Sequence, residues 1–300
     1  MPNHAKPLRS LLFVPGNKED WMRKAPRYGA DALIFDLEDS VPAAHRPQAR
    51  KMVRRVIEEL GDQGQTIFVR VSSLDTGETG EDLEAVVCKQ LYGIFLPKVF
   101  GPKDVVAADA LLSFFEKRQG VPVGHTLINP LLETAEAHWQ AHEIAKASPR
   151  VAHMGGGTAK DADAARALGY EWTPEGMETY PLRAMMLMAV RAAGVPYPVS
   201  GLWVDIHDNE GLRAYAVQTR RLGYQGLQAI YPGQIPIINE VFSPRPEDIA
   251  HWKKVLDVMA KAEADGTTAV ALDGKMIDTA HVKHARVHLA YARKLGLVRD

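Results

Sequence analysis

Short apolar runs, rich in β-branched and aromatic residues, recur eight times along this 300-residue chain. They lie at residues 11–14, 32–35, 66–73, 93–100, 124–133, 151–155, 199–206 and 227–235. Most are near-continuous rather than alternating, the pattern of strands buried on both faces. Between them come stretches with helical spacing. Over residues 43–60, for example, Met52, Val53, Val56, Ile57 and Leu60 repeat every three or four positions. Further helices are expected over 102–118, 134–147, 163–168 and 209–223. Strands alternating with helices must pair in parallel, because each crossover carries the chain back to the same end of the sheet. Eight such units in order argue for an α/β fold of the (β/α)8 TIM-barrel type rather than an open doubly wound sheet. A long helix over 246–264, a glycine-bounded extended piece and a final helix exceed what a barrel needs. The chain therefore divides, on this reading, into a barrel over 1–245 and a C-terminal helical extension over 246–300. That extension can cover its own barrel mouth or a neighbour's.

Composition narrows the functional classes. Lys and Arg number 36 against 37 Asp and Glu, leaving a net charge of -1, which provides no electrostatic footprint for nucleic acid or an anionic membrane. No apolar run reaches the roughly 20 residues needed to span a bilayer, and the N-terminal apolar stretch is too short for a signal peptide. A cytoplasmic location is expected. The single cysteine, Cys88, excludes intrachain disulfides and thiolate zinc sites, and is expected to pack in a helix.

In such a barrel the active site lies at the carboxyl ends of the strands. That rim collects Pro15-Gly16, then Asp36, Glu38 and Asp39, then Arg70, Lys98, Glu133, Asp163 and Asp205. Glu133 closes the fifth run, and the glycine turn at 155–157 leads to Asp161 and Asp163 after the sixth. Two carboxylates at one rim, with little that is soft or nucleophilic nearby, suit a hard divalent cation such as Mg²⁺. The bland alternative makes Glu133 a helix cap and puts Asp163 on a solvated face. Arg70, planar and always charged, suits bidentate capture of a substrate carboxylate. Pairing with Asp36 or Glu38 is compatible with that role. Lys98 allows a Schiff-base aldolase mechanism, but the surrounding acids would keep it protonated, so an ion pair with Glu38 or Asp36 is expected.

Other motifs are set aside. GGGTAK lacks the spacing of a phosphate-binding P-loop, and no GxGxxG follows the first run. His281, His284 and His288 share a helical face without acidic or cysteine company, and His138 and His142 lack the glutamate of a zincin pair.

The blocks RSLLFVPGN (9–17), LIFDLEDSVP (33–42), FVRV (68–71), FLPKV (95–99), LLETAEA (131–137) and DGKMID (273–278) resemble, in order and over nearly the whole chain, the citrate lyase β-subunit-like family of HpcH/HpaI aldolases. The family includes malyl-CoA, citramalyl-CoA and citryl-CoA lyases. The resemblance implies a TIM barrel, Mg²⁺, and reversible cleavage of a hydroxy-dicarboxylic acyl-CoA to a 2-oxo acid and acetyl-CoA. It matches Glu133 to the first metal-binding carboxylate and Asp163 to the second, with Asp161 as the fallback. It matches Arg70 to the arginine that grips the 2-oxo acid carboxylate, helped by backbone near Pro15 and Gly16, with Asp36, Glu38 and Lys98 around it. Asp278 matches an acid donated to a neighbouring subunit's site as general acid/base, which implies a homotrimer or hexamer and a purpose for the extension. Relatives carry a lysine and a histidine where this chain has Leu227 and Tyr231, in the region that receives the CoA nucleotide. Arg9 is then expected to meet a phosphate. The departure leaves room for a metal-dependent aldolase acting on free 2-oxo-4-hydroxy acids, or for a non-catalytic subunit of a lyase complex.

Overall fold

The structure, a computed structural model, describes residues 4–298. The chain divides into two compact units, Met1–Phe242 and Ser243–Asp300.

In the first unit, strands β1 (Ser10–Pro15), β2 (Ala32–Asp36), β3 (Ile67–Arg70), β4 (Gly93–Leu96), β5 (Leu127–Pro130), β6 (Val199–Ser200) and β7 (Gly226–Ala229) form one sheet in the order β5-β4-β3-β2-β1-β7-β6. Every pairing is parallel. Helices α1 (Glu19–Lys24), α2 (Arg46–Asp62), α3 (Thr79–Val86), α4 (Pro102–Arg118), α5 (Ala135–Trp139), α6 (Ala141–Lys146), α7 (Asp163–Leu168), α8 (Tyr180–Ala192), α9 (Asn209–Leu222) and α10 (Ile235–Phe242) fill the crossovers. The period of two along each strand sends alternate side chains to opposite faces. Leu12, Val14, Leu33, Phe35, Val69 and Ile94 join the cluster that packs on the helices. Leu11, Ile34, Phe68, Phe95 and Val199 form a separate cluster on the other face. All five residues of β2 are buried, which is why its sequence reads as an unbroken apolar run.

Among the described residues the sheet has seven strands where the sequence reading expects eight. The sixth expected run is reduced to one bridge, Val151 to Ile128. Around it, the Ile128 N–H donates to the Arg150 carbonyl at 3.1 Å and the Val199 N–H to the His153 carbonyl at 3.0 Å, so this segment touches both β5 and β6. It ends at Gly155, where a Cβ would stand only 2.1 Å from the Val199 carbonyl oxygen. A glycine-rich stretch pressed this closely against its neighbour makes a close approach rather than a strand. Strand β6 is likewise short. The chain leaves it at Gly201, and Asp205 lies in a turn, accepting the His207 N–H at 3.1 Å, instead of ending the strand. The expected helix over 134–147 is broken at Gln140 into α5 and α6, and the polar stretch after β3 leads into a helix, α3, that was not expected. Cys88 is buried just beyond α3 rather than inside a helix, and burial pushes its thiol up, away from nucleophile chemistry.

Arg150, 3% exposed, ties the returning segment to α4. It donates to both oxygens of Glu116 (2.8 and 2.7 Å), to Asp109 (2.6 Å) and to the Thr126 carbonyl (2.9 Å). A charge buried this deeply persists because its donors are met by acids.

The second unit consists of α11 (Pro246–Ala264), an antiparallel hairpin of β8 (Ala269–Leu272) and β9 (Lys275–Asp278), and α12 (Thr279–Lys294). Its core is Val255, Met259, Leu272, Ile277, Val282 and Ala285. Asp273 and Gly274 form the hairpin turn with φ of 49° and 75°, the left-handed pair that a two-residue connection requires. Among the described residues no helix is long and apolar enough to cross a membrane.

Candidate active site

The parallel register brings the polar ends of the first five strands together. Pro15 pairs with Asp36, Asp36 with Arg70, and Arg70 with Phe95, so the residues following these positions emerge at one end of the sheet. A cavity of about 100 Å³ opens there, lined among others by Phe13, Arg70, Leu131, Glu133, Gly157 and Gln228. A larger one, about 430 Å³, lies at the opposite, amino end beside Lys6, Tyr92 and His125. The smaller cavity holds the catalytic candidates, because an Arg and a partly buried carboxylate converge on it.

Arg70 is the hub. Its Nε and Nη2 grip the two oxygens of Asp36 at 2.6 and 2.7 Å, while Nη1 lies 3.3 Å from Glu38 and 3.2 Å from Asp39. The Phe13 ring lies beneath the guanidinium at 5.2 Å. Burial works against the charge on Arg70, but Asp36, Glu38 and Asp39 override it and raise the pKa further. Burial by itself would also raise the Asp36 carboxyl; the Arg70 fork and the Ser40 and Glu38 amides hold it below the usual carboxylate range. The expected pairing of Arg70 with Asp36 is therefore present, and Nη1 is the more loosely held corner, shared by Asp39 and Glu38.

Glu38 is the strained acid of the group. It is 3% exposed, and neither oxygen makes an aligned hydrogen bond among the described residues, although Lys98 Nζ stands 2.8 Å from Oε1. Burial pushes its carboxyl up to about 7, with Asp39 adding and Arg70 and Lys98 subtracting. The folded protein thus binds this proton more tightly than the unfolded chain does. The stability this group contributes is fully present below its ordinary value of 4.5 and is lost as pH rises through about 7. Urea unfolding at successive pH values should show Glu38→Gln losing less stability than the wild type across that window, by an amount of the order of 2 kcal/mol. Parallel curves for the two proteins would mean that Glu38 titrates normally.

Lys98 pairs with Glu38 and, at 3.3 Å, with Asp39; these acids raise its pKa against the effect of burial. An ammonium held so firmly protonated cannot act as a Schiff-base nucleophile. Glu133 is the third residue of the loop after β5. It accepts the Lys98 backbone N–H at 3.0 Å on Oε2. Burial raises its carboxyl, and the nearby charges of Asp163 and Asp39 push it the same way, against the Lys98 amide and Arg70. Asp163 opens α7, and its neighbours Ala162 and Ala164 line the cavity. Its side chain pairs with the exposed Arg166 on the same turn. Asp161, in the left-handed region at φ 54°, is exposed and does not figure among the charges acting on Glu133.

Among the described residues no three His, Cys, Asp or Glu side chains converge as a metal cage. The donor set of Glu133 and Asp163 nevertheless fits a hard divalent cation. The charge of Asp163 favours the protonated form of Glu133, Glu133 is partly buried and accepts the Lys98 N–H, and remaining oxygen ligands can come from substrate and water.

Other expected site residues are placed elsewhere. Gly16 is pressed against β2, and its N–H is spent on the Asp36 carbonyl at 2.8 Å, so it is not a free donor for an anion. Pro15 has no N–H to offer. Arg9 precedes β1 at the amino end, roughly 20 Å from the carboxyl rim by strand rise, and is locked to Asp31 at 2.7 and 2.8 Å. It is not part of this cluster. Leu227 is fully buried among helix-facing core residues, so its side chain cannot contact a ligand. Tyr231 is 42% exposed, with its ring 6.4 Å from His207. Asp278, in the second unit, caps α12. Its Oδ1 accepts the Ala280 N–H at 2.9 Å and meets His281 Nδ1 at 2.8 Å, and His281 first of all lowers its carboxyl. Phe13 and Gln228 were not anticipated. Strand alternation could have found both, since each faces away from the helix-packed neighbours Leu12, Val14, Leu227 and Ala229.

A sequence model of HpcH/HpaI aldolase/citrate lyase matches residues 9–232. The chain is 35% identical over 300 residues to a (3S)-malyl-CoA thioesterase of Cereibacter sphaeroides, spanning 100% of this chain and 99% of that protein. It is 32% identical over 289 residues to the citrate lyase subunit beta of Escherichia coli, covering 96% and 94%. Among solved structures, CitE from Mycobacterium tuberculosis in complex with magnesium, acetoacetate and coenzyme A aligns with TM-score 0.72 and 26% identity, over 96% of this chain and 99% of that one.

Proposed function

Because the chain belongs to the HpcH/HpaI aldolase/citrate lyase family, we propose that it is a Mg²⁺-dependent carbon–carbon lyase that cleaves a malyl-, citramalyl- or citryl-type acyl-CoA to a 2-oxo acid and acetyl-CoA, reversibly. The observation that carries this reading is Glu133: a partly buried carboxylate, raised by desolvation and by the charge of Asp163, in the same cavity as Arg70. We read the seven strands and the bridging segment at 151–154 as the family's (β/α)8 barrel, with its sixth strand nearly lost.

Glu133 and Asp163 would hold the ion, which acidifies the substrate hydroxyl and stabilises the alkoxide when bound. Arg70, oriented by Asp36 and supported by Phe13, offers Nη1 to the carboxylate that becomes part of the 2-oxo acid. Leu131 and Leu202 shield this end of the cavity from water. As the carbon–carbon bond breaks, the hydroxyl proton leaves to solvent and the electron pair passes to the thioester enolate, whose carbon receives a proton that Asp278 of a neighbouring subunit takes up from solvent and delivers. In condensation the same carboxylate, kept ionised by His281, removes the proton. The site is then shared within a homo-oligomer, which supplies the purpose of the second unit.

The thioesterase named among the relatives favours a second reading, hydrolysis of the same thioester. One assay separates the two. Purified protein with Mg²⁺ and malyl-CoA should release glyoxylate and acetyl-CoA, and EDTA should stop it. Release of malate and free CoA instead would make the protein a thioesterase. Turnover of only free 2-oxo-4-hydroxy acids would point to an aldolase, and no turnover of any thioester would leave a subunit without its own chemistry.

A further inference from the structure

Lys98 lies two residues past the end of β4, after Pro97, and it is one of three non-glycine residues among the described chain with positive φ, at 51°. Side-chain-bearing residues adopt this region rarely, and where they do so in a site the conformation has a use. Here one residue serves two acids in different ways. Its backbone N–H points at Glu133 Oε2, 3.0 Å away. Its ammonium lies 2.8 Å from Glu38 and 3.3 Å from Asp39. Those same two acids are the ones near Arg70 Nη1, at 3.3 and 3.2 Å. Lys98 and Arg70 therefore compete for them.

We propose that Lys98 is a positioning residue with separable functions: its left-handed backbone aims Glu133, and its ammonium shares Glu38 and Asp39 with Arg70, loosening their hold on Nη1 so that a substrate carboxylate can take it. The first function rests on the reading of Glu133 as a metal ligand; the second rests only on Arg70 binding a carboxylate. With the ammonium removed, three acids face a single guanidinium, and Glu38 and Asp39 hold Nη1 more tightly than at the present 3.3 and 3.2 Å. With the backbone forced out of the left-handed region, Glu133 loses the hydrogen bond from the Lys98 N–H.

Three substitutions separate the functions. Glycine adopts positive φ freely, so Lys98→Gly keeps the amide and loses the ammonium. A β-branched residue resists that conformation, so Lys98→Val loses both. Lys98→Arg retains a cation. Mn²⁺ binding by calorimetry reads the first function, and pyruvate binding to EDTA-treated protein reads the second. Lys98→Gly should bind Mn²⁺ within about twofold of wild type, whereas Lys98→Val should bind it about tenfold more weakly, the scale of a lost orienting hydrogen bond. Both should bind pyruvate about tenfold more weakly, the scale of one charge-assisted contact, and Lys98→Arg should recover most of it. Equal Mn²⁺ weakening in the Gly and Val variants would overturn the separation. Unchanged pyruvate affinity in Lys98→Gly, or no pyruvate binding by the wild type, would overturn the shielding of Arg70. A wild type that binds pyruvate but no Mn²⁺ would sink the metal reading and the aiming function with it, while leaving the shielding function to stand or fall on the Lys98→Gly result.

Discussion

Glu133→Gln is expected to lower turnover by about 10³-fold or more, because the ion it helps to hold supplies several kcal/mol of charge stabilisation to the developing alkoxide. The fold should survive. Glutamine keeps an oxygen to accept the Lys98 N–H, and the substitution removes a partly buried charge that desolvation and Asp163 both disfavour. Thermal or urea unfolding without metal should therefore show a variant as stable as the wild type or slightly more so. Loss of activity with unchanged or improved stability is the signature of an acid retained for function at a cost to the fold. If Glu133→Gln destabilised the protein while retaining its turnover, the residue would be a structural cap.

The second large effect is expected at Asp278. Its carboxylate caps α12, so Asp278→Ala confounds lost chemistry with a lost cap worth about 1 kcal/mol. Asp278→Asn caps nearly as well but cannot exchange the proton. Both should lose about 10²- to 10⁴-fold in turnover, the range of a positioned general acid/base, with metal affinity unchanged. Since the acid is proposed to act in a neighbouring subunit, mixing inactive Glu133→Gln protein with inactive Asp278→Asn protein, after subunit exchange, should restore part of the activity. A mixture that stays inactive would return Asp278 to its own subunit, and full turnover by Asp278→Asn would leave it as a cap alone.

What could be read from the sequence followed from local rules. The alternation of apolar runs and helical patterns gives the parallel α/β architecture, and the carboxyl-end rule gathers Asp36, Arg70, Lys98 and Glu133, which the register then brings to one rim. Features set by the approach of distant segments were not legible. Nothing in VAHMG announces that Gly155 runs against the Val199 carbonyl and leaves a single bridge instead of a strand. Arg9 carries the charge of a phosphate ligand, but its place before β1, opposite Asp31, puts it at the wrong end. Leu227 resembles a lost ligand until its neighbours show it facing the helices. Glu38 looks like one more surface acid in a run of three; only its burial between Arg70 and Lys98 reveals a carboxyl pushed up to about 7.

Calorimetric titration of metal-free protein with Mn²⁺, repeated on Glu133→Gln and Asp163→Asn, tests the pairing of these two acids most directly. One ion per wild-type chain is expected, with at least about tenfold weaker binding in each variant and no change in Asp161→Asn. Wild-type protein that takes up no ion, or variants at both positions that bind as the wild type does, would contradict it.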